Sequence, residues 1–288
     1  MNPVKIGDFL VGDGYPCFIV AEIGINHNGE VETAMRLIDA AVFSGCNAVK
    51  FQKRTIDVVY SKEELNKPRE NPFGMTNGDL KMGLEFGQKE YEEVDRYCRE
   101  KDIIWFASCW DESSVDFIDS FNPLCYKIAS ASLTDDELLR HHRKKGKPII
   151  LSTGMSDLPM INHAVEVLGK DELVIAHCTS TYPSKSEELN LQCIKTLKEK
   201  FKEVPIGYSG HETGLATTVA AAVLGACVVE RHITLDRSMW GSDQAASVEP
   251  QGMRTLVQNI REIEKAMGDG EVKIYESEIP IMQKLRRK

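Results

Sequence analysis

Nowhere in this chain do two cysteines stand in a CxxC pair, although there are eight of them. They are scattered and mostly lie inside apolar runs such as "PCFIVAEIG", which argues against a disulfide framework; reduced core thiols in a cytoplasmic protein are expected. No apolar run approaches the roughly 18 residues of a membrane-spanning helix. The opening stretch, "MNPVKIGDFLVGDG", has acids and glycines instead of a basic segment followed by an apolar one, so a soluble, unexported protein is expected. Positive charge is in deficit: 35 Lys and Arg against 44 Asp and Glu leave a formal charge of −9. That argues against a nucleic-acid surface, and any pocket for an acidic small molecule has to be built locally. There is no internal repeat beyond a βα rhythm and no low-complexity tract. With 42% hydrophobic residues among 288, the chain can bury a sizeable core, and disorder is not expected.

What is present is an alternation. Eight short β-rich runs recur: "FIVAEIG" (18–24), "AVKFQ" (48–52), "WFASCW" (105–110), "YKIAS" (126–130), "PIILSTG" (148–154), "LVIAHCTS" (173–180), "PIGYSGH" (205–211) and "CVVERHIT" (227–234). Between them lie segments of helical period, such as "VETAMRLIDAAVFSG", which puts Ala34, Leu37, Ile38 and Ala41 on one face and closes with Gly45. Strands too apolar to expose a face, alternating eight times with helices, predict an α/β fold, a (β/α)8 barrel over residues 1–268. An open doubly wound sheet is the runner-up, weakened because no GxGxxG turn follows the first strand. Residues 53–90, rich in Asn, Pro, Gly and charge, follow the second strand and are expected to lie over the barrel mouth as a lid. Residues 269–288 are expected to form a linker-like tail, and "LLRHHRKKGK", with His141 and His142, a solvated helix end.

In such a barrel the reactive groups gather at the C-terminal ends of the strands. There the sequence places Glu22 and Asn26, Lys50 and Gln52, Ser108, Lys127 and Ser130, Ser152 and Thr153, His177, Ser180 and Tyr182, Ser209 and His211, then Glu230 and His232. One buried lysine could simply pair with a neighbouring acid, but two on separate strands, with several hydroxyls, make a cationic pocket suited to phosphate or carboxylate. His211 and His232 come from adjacent strands. With an acid such as Glu22 or Asp243 they would suit Mn, Fe or Zn, although each alone reads more readily as a hydrogen-bonded core or catalytic histidine than as a ligand.

The stretches "FIVAEIGINHNG", "AVKFQ", "YKIAS", "KPIILSTGM", "HCTSTYP", "GYSGHETG" and "ERHITLD…GSDQAAS" resemble, in order and spacing, the sialic acid synthase family, including the synthases of legionaminic and pseudaminic acids. The resemblance runs from about residue 15 to 266. It implies condensation of phosphoenolpyruvate with the open-chain form of an aldose, releasing phosphate and giving a 2-keto-3-deoxy (ulosonic) acid. It also implies a divalent metal, commonly manganese, held by His211 and His232. Lys50, Lys127, Ser130, Ser152 and Ser209 match phosphoenolpyruvate contacts, with Ser108 where the family often has threonine. Glu22, Gln52, Tyr182 and Asp243 match residues around the sugar and a metal-bound water, and Ser180 stands where some members carry asparagine.

The departures fall on the acceptor side. Ser132 replaces an expected carboxylate, and Ser242 and Gln244 replace a common Pro and His. The family usually carries a C-terminal antifreeze-like domain that crosses a homodimer, and this chain ends at "KLRRK", near where that domain's linker would lead. The expectation is an acceptor other than N-acetylmannosamine, or a separate antifreeze-like domain protein as partner. Two other classes remain open: a Schiff-base pyruvate aldolase using Lys127 or Lys50, and a noncatalytic sugar-phosphate-binding barrel.

Overall fold

Side-chain alternation along eight parallel strands sorts their buried apolar residues between two cores. In the computed structural model, which describes residues 2–287, these strands close into a barrel in chain order. They are Phe18–Gly24, Ala48–Lys53, Ile104–Cys109, Tyr126–Ile128, Ile149–Ser152, Leu173–Cys178, Ile206–Gly210 and Val228–His232. Ile19, Ala21, Ile23, Val49 and Phe51 face outward and pack under the helices. Phe18, Val20, Ala48, Phe106, Ile150, Val174 and Val228 face inward and fill the lower barrel. The same period of two then carries Glu22, Lys50, Ser108, Lys127, Ser152, Ser209, Glu230 and His232 to the inner face one level higher. Thus the apolar lower layers are the floor of a polar upper one.

The helical rhythm holds. Helix Val31–Ser44 buries Ala34, Leu37, Ile38 and Ala41, and ends where Gly45 takes a left-handed φ of 82°. From the fourth strand on, the strands are shorter than their apolar runs. The fourth stops at Ile128 and turns into a 3-10 segment, Ser130–Ser132, so several expected strand-end residues sit on the first turn of a loop.

Three features differ from the sequence reading. Val4–Ile6 and Phe9–Val11 form an antiparallel hairpin whose Val4, Ile6 and Val11 join the inner core and close the lower end of the barrel. Residues 53–90, for which the sequence reading assigned no elements, are structured: helices Ile56–Val59 and Lys62–Leu65 lead to the hairpin Pro68–Asn71 with Gly74–Thr76. Helix Asn77–Leu84 follows, opened by a Thr76–Asp79 capping box. His142, expected in a solvated face, is fully buried beneath Tyr126, with Nδ1 2.9 Å from the Leu138 carbonyl. Among the described residues no helix is long and apolar enough to cross a membrane.

Candidate active site

A cavity of about 220 Å³ opens among the C-terminal strand ends. Its walls include Glu22, Lys50, Gln52, Ser108, Lys127, Ser130, Ser152, Ser180, Tyr182, Ser209, His211 and His232. Asp243 stands just outside this lining, with a carboxylate oxygen 3.8 Å from His232 Nδ1. Asn26 and His177, strand-end residues in the sequence, do not take part. Asn26 donates to the Ile233 carbonyl and to Ser247, and His177 Nε2 lies 2.7 Å from the Leu189 carbonyl in the helix layer.

The floor is a chain of buried charges. Lys127 Nζ donates to both oxygens of Glu230, at 2.8 and 2.9 Å. Lys50 Nζ lies 2.8 Å from Glu22 and 3.6 Å from Glu230, and Gln52 Nε2 donates to the other oxygen of Glu22 at 2.9 Å. The pocket floor is therefore balanced, not cationic as the lysines alone suggest: each ammonium has a carboxylate partner, as burial demands. Burial would lift the Glu230 carboxyl, but the Lys127 and Lys50 ammoniums overcome it and hold it down at about 2. Burial wins at Glu22, whose carboxyl stays above its ordinary value despite Lys50. The Lys50 ammonium rises above its ordinary range because Glu22 and Glu230 outweigh burial, whereas burial lowers that of Lys127.

Hydroxyls line the wall above. Ser209 donates to Glu230 at 3.2 Å, and the Gly154 N–H donates to Ser130 Oγ at 2.9 Å. Gly154 has no room for a side chain, since a Cβ there would come within 2.1 Å of Ser180 Oγ. Ser152 Oγ has no protein partner, nor does His232 Nδ1. Opposite, the ring centroids of His211 and His232 are 5.3 Å apart, with the Tyr182 ring tilted by 44° at 4.1 Å from His211.

Residues 37–272 match the NeuB family profile. The chain belongs to that family. Human N-acetylneuraminate-9-phosphate synthase is 38% identical over 279 residues, covering 96% of this chain and 78% of the human one. The N,N'-diacetyllegionaminic acid synthase of Legionella pneumophila is 36% identical, covering 96% of this chain and 80% of its own. The crystal structure of an N-acetylneuraminic acid (sialic acid) synthetase from Leptospira borgpetersenii, in complex with citrate, superposes with a TM-score of 0.87 at 31% identity. It covers 100% of this chain and 98% of its own.

Among the described residues of this NeuB-family chain, no three His, Cys, Asp or Glu side chains gather closely enough to hold a metal alone. Two imidazoles do converge, and their chemistry fits a divalent ion with open positions. Burial keeps His232 neutral, its pKa lowered to about 3, and leaves Nδ1 without a hydrogen bond. His211 Nδ1 is 2.8 Å from the Thr179 carbonyl, which leaves Nε2 as its free nitrogen. Burial would lower the His211 pKa, but Cys178, whose sulfur lies 3.7 Å from that Nδ1, turns the shift upward.

Glu230 is the residue whose role the sequence reading underweighted. It appeared among the strand ends but received no part in the site, although an acid inside "VVERH" has few reasons to be buried except to meet a cation. Trp110, Cys178 and Met155 also line the cavity, and no pattern in the sequence separates them from core residues.

Proposed function

We propose that this chain condenses phosphoenolpyruvate with an open-chain aldose, forming a 2-keto-3-deoxy sugar acid and releasing phosphate. The observation that carries the reading is the convergence, in one buried cavity, of Lys50 and Lys127 with Glu22, Glu230 and two imidazoles. Lys127, Lys50 and the hydroxyls of Ser130, Ser152 and Ser209 hold the phosphate and carboxylate of phosphoenolpyruvate, with Ser108 and Ser180 beside them. The acceptor lies toward Gln52, Tyr182 and Asp243. Carbon 3 of phosphoenolpyruvate attacks the aldehyde carbon, water adds at carbon 2, and the carbon–oxygen bond to phosphate breaks. Glu22, whose carboxyl burial holds above its ordinary value and whose position Gln52 steadies, gives or takes the proton at the acceptor. His211 and His232 would hold the divalent ion, manganese in this reading, which when bound polarises the aldehyde oxygen. Eight unpaired cysteines, six of them buried, favour a reducing compartment and hence the cytoplasm.

One observation favours a second reading. Burial draws the Lys127 ammonium below its ordinary pKa, a property that Schiff-base lysines share. The grip of both Glu230 oxygens works against a free amine, and borohydride trapping with pyruvate separates the two. The principal test takes metal-stripped protein with phosphoenolpyruvate and N-acetylmannosamine, mannose, arabinose or arabinose 5-phosphate, with manganese added or withheld. Phosphate release that needs both aldose and manganese, with a product three carbons longer, is expected. Absence of turnover with every aldose while phosphoenolpyruvate still binds would leave a noncatalytic binder.

A further inference from the structure

The two imidazole-bearing strand ends each carry, on the neighbouring residue, a charge facing the opposite side of the sheet. Glu212 follows His211, and Arg231 precedes His232; both are 1% exposed. Arg231 Nη1 lies 3.2 Å from Glu212 Oε1 and donates to Thr218 Oγ1 at 2.6 Å and to the Gly214 carbonyl at 2.9 Å. Its Nη2 donates to the backbone carbonyl of Glu212. Glu212 in turn accepts from Thr218, Thr217 and the Tyr208 hydroxyl, at 2.6, 2.9 and 2.9 Å. One guanidinium thus ties the eighth strand to the loop after the seventh and to helix Ala216–Val223.

Its position in the ladder gives this tie its importance. The pairing between the seventh and eighth strands ends at Gly210 with Arg231, one step short of the imidazoles. Beyond that step, the His211 carbonyl is bonded to Ser184 and the His232 carbonyl to Val248, so backbone bonds draw the two residues toward different neighbours. Across the gap, Arg231 and Glu212 connect them. Gly210 leaves the passage open: a Cβ there would lie 2.5 Å from the Glu212 carboxylate and 3.0 Å from Arg231 Cδ. A buried ion pair is no more stabilising than apolar residues of the same shape, so net stability does not explain it; fixed spacing does.

We infer that the Glu212–Arg231 pair is a positioning device that sets the separation of His211 and His232, and with it the affinity of the site for a divalent cation. This rests on the two-imidazole reading above. The test measures manganese binding to metal-free protein by electron paramagnetic resonance, and phosphoenolpyruvate binding without manganese by calorimetry. Wild type, Arg231→Lys and the double variant Glu212→Gln/Arg231→Met are compared. The double variant removes both charges together, so it avoids the unpaired buried charge that a single truncation leaves and keeps the test valid if Arg231→Lys does not fold. The Kd for manganese is expected to rise about 10–100-fold in both variants, the usual cost of disturbing a group that orients a metal ligand. Phosphoenolpyruvate binding is expected to be unchanged. A folded double variant that binds manganese as wild type does, or loses both ligands equally, would overturn the positioning role. A wild type that takes up no manganese sinks the two-imidazole reading itself.

Discussion

Lys127 is clamped by two carboxylate oxygens on the floor of the cavity, and it keeps the proton an anion contact needs only while that partner stays charged. Glu230, held at about 2, does stay charged, and Lys50 at 3.6 Å shares it. Replacing Lys127 with Met removes the charge-assisted bonds while keeping the stem. Phosphoenolpyruvate binding, followed by calorimetry, is expected to weaken about 10–100-fold, the equivalent of 1.5–3 kcal/mol. An unchanged Kd in the folded variant would remove Lys127 from the proposed contacts. A second residue gives a pH dependence away from the cavity. Burial lowers the His142 pKa from its ordinary 6.5 to about 4, and Nε2 has no partner. Between those values the unfolded chain binds the proton that the folded chain refuses, so stability present above pH 6.5 is lost as pH falls toward 4. The loss attributable to this group is about 3 kcal/mol. Denaturation of the wild type and of His142→Phe across this window reads it: the wild type should fall more steeply. Parallel slopes would show that His142 does not titrate there.

Each connecting element fixes the site from outside, and Asp111 illustrates how. It is the N-cap of helix Glu112–Asp119, accepting from the Ser114 N–H at 2.8 Å and the Ser114 hydroxyl at 2.6 Å. The same carboxylate accepts from the N–H and hydroxyl of Thr55, at 2.7 and 2.8 Å, and so anchors the start of the 53–90 segment to the third strand's loop. Asp111→Ala should lower stability by about 2–3 kcal/mol, the loss of a cap plus buried donors left unpaired. Asp111→Asn, whose amide oxygen still accepts, should lose less, and urea midpoints that rank the variants the other way would contradict the double role. At this scale the sequence was informative where one period ruled. Runs such as "FIVAEIG" could bury both faces only in a parallel sheet covered on both sides, and Leu37, Ile38 and Ala41 could share a face only in a helix. It was uninformative where no period operates. "VKIGDFLV" is too short to distinguish a plug hairpin from a coil, and His142 looks like its exposed neighbours because its burial depends on Tyr126, sixteen positions earlier.

Across the whole molecule, the site residues were legible because the barrel turns sequence position into spatial position: an inward residue near a strand's C-terminal end has to meet its counterparts from the other strands. Their pairing was not legible, since which carboxylate meets Lys127 depends on barrel registry that no local pattern encodes. The same holds for the lid. Composition suggested that residues 53–90 form a lid, but the contact that seats them is tertiary. Phe73, at the tip of the lid hairpin, packs on Gly83, where a Cβ would come within 2.1 Å of its ring. Its edge meets Trp240 with centroids 6.4 Å apart. Trp240 belongs to the loop that carries Asp243, so this aromatic contact ties the lid to the acceptor side of the proposed site. The lysines and hydroxyls assigned to phosphoenolpyruvate sit deeper, on the strands themselves. Trp240→Ala should therefore act on one substrate only. The KM for the aldose is expected to rise about 2–10-fold, the value of one aromatic pair of 0.5–1.5 kcal/mol, with the KM for phosphoenolpyruvate unchanged. Equal increases in both KM values would mean that the contact supports the barrel as a whole and does not close the lid over the acceptor.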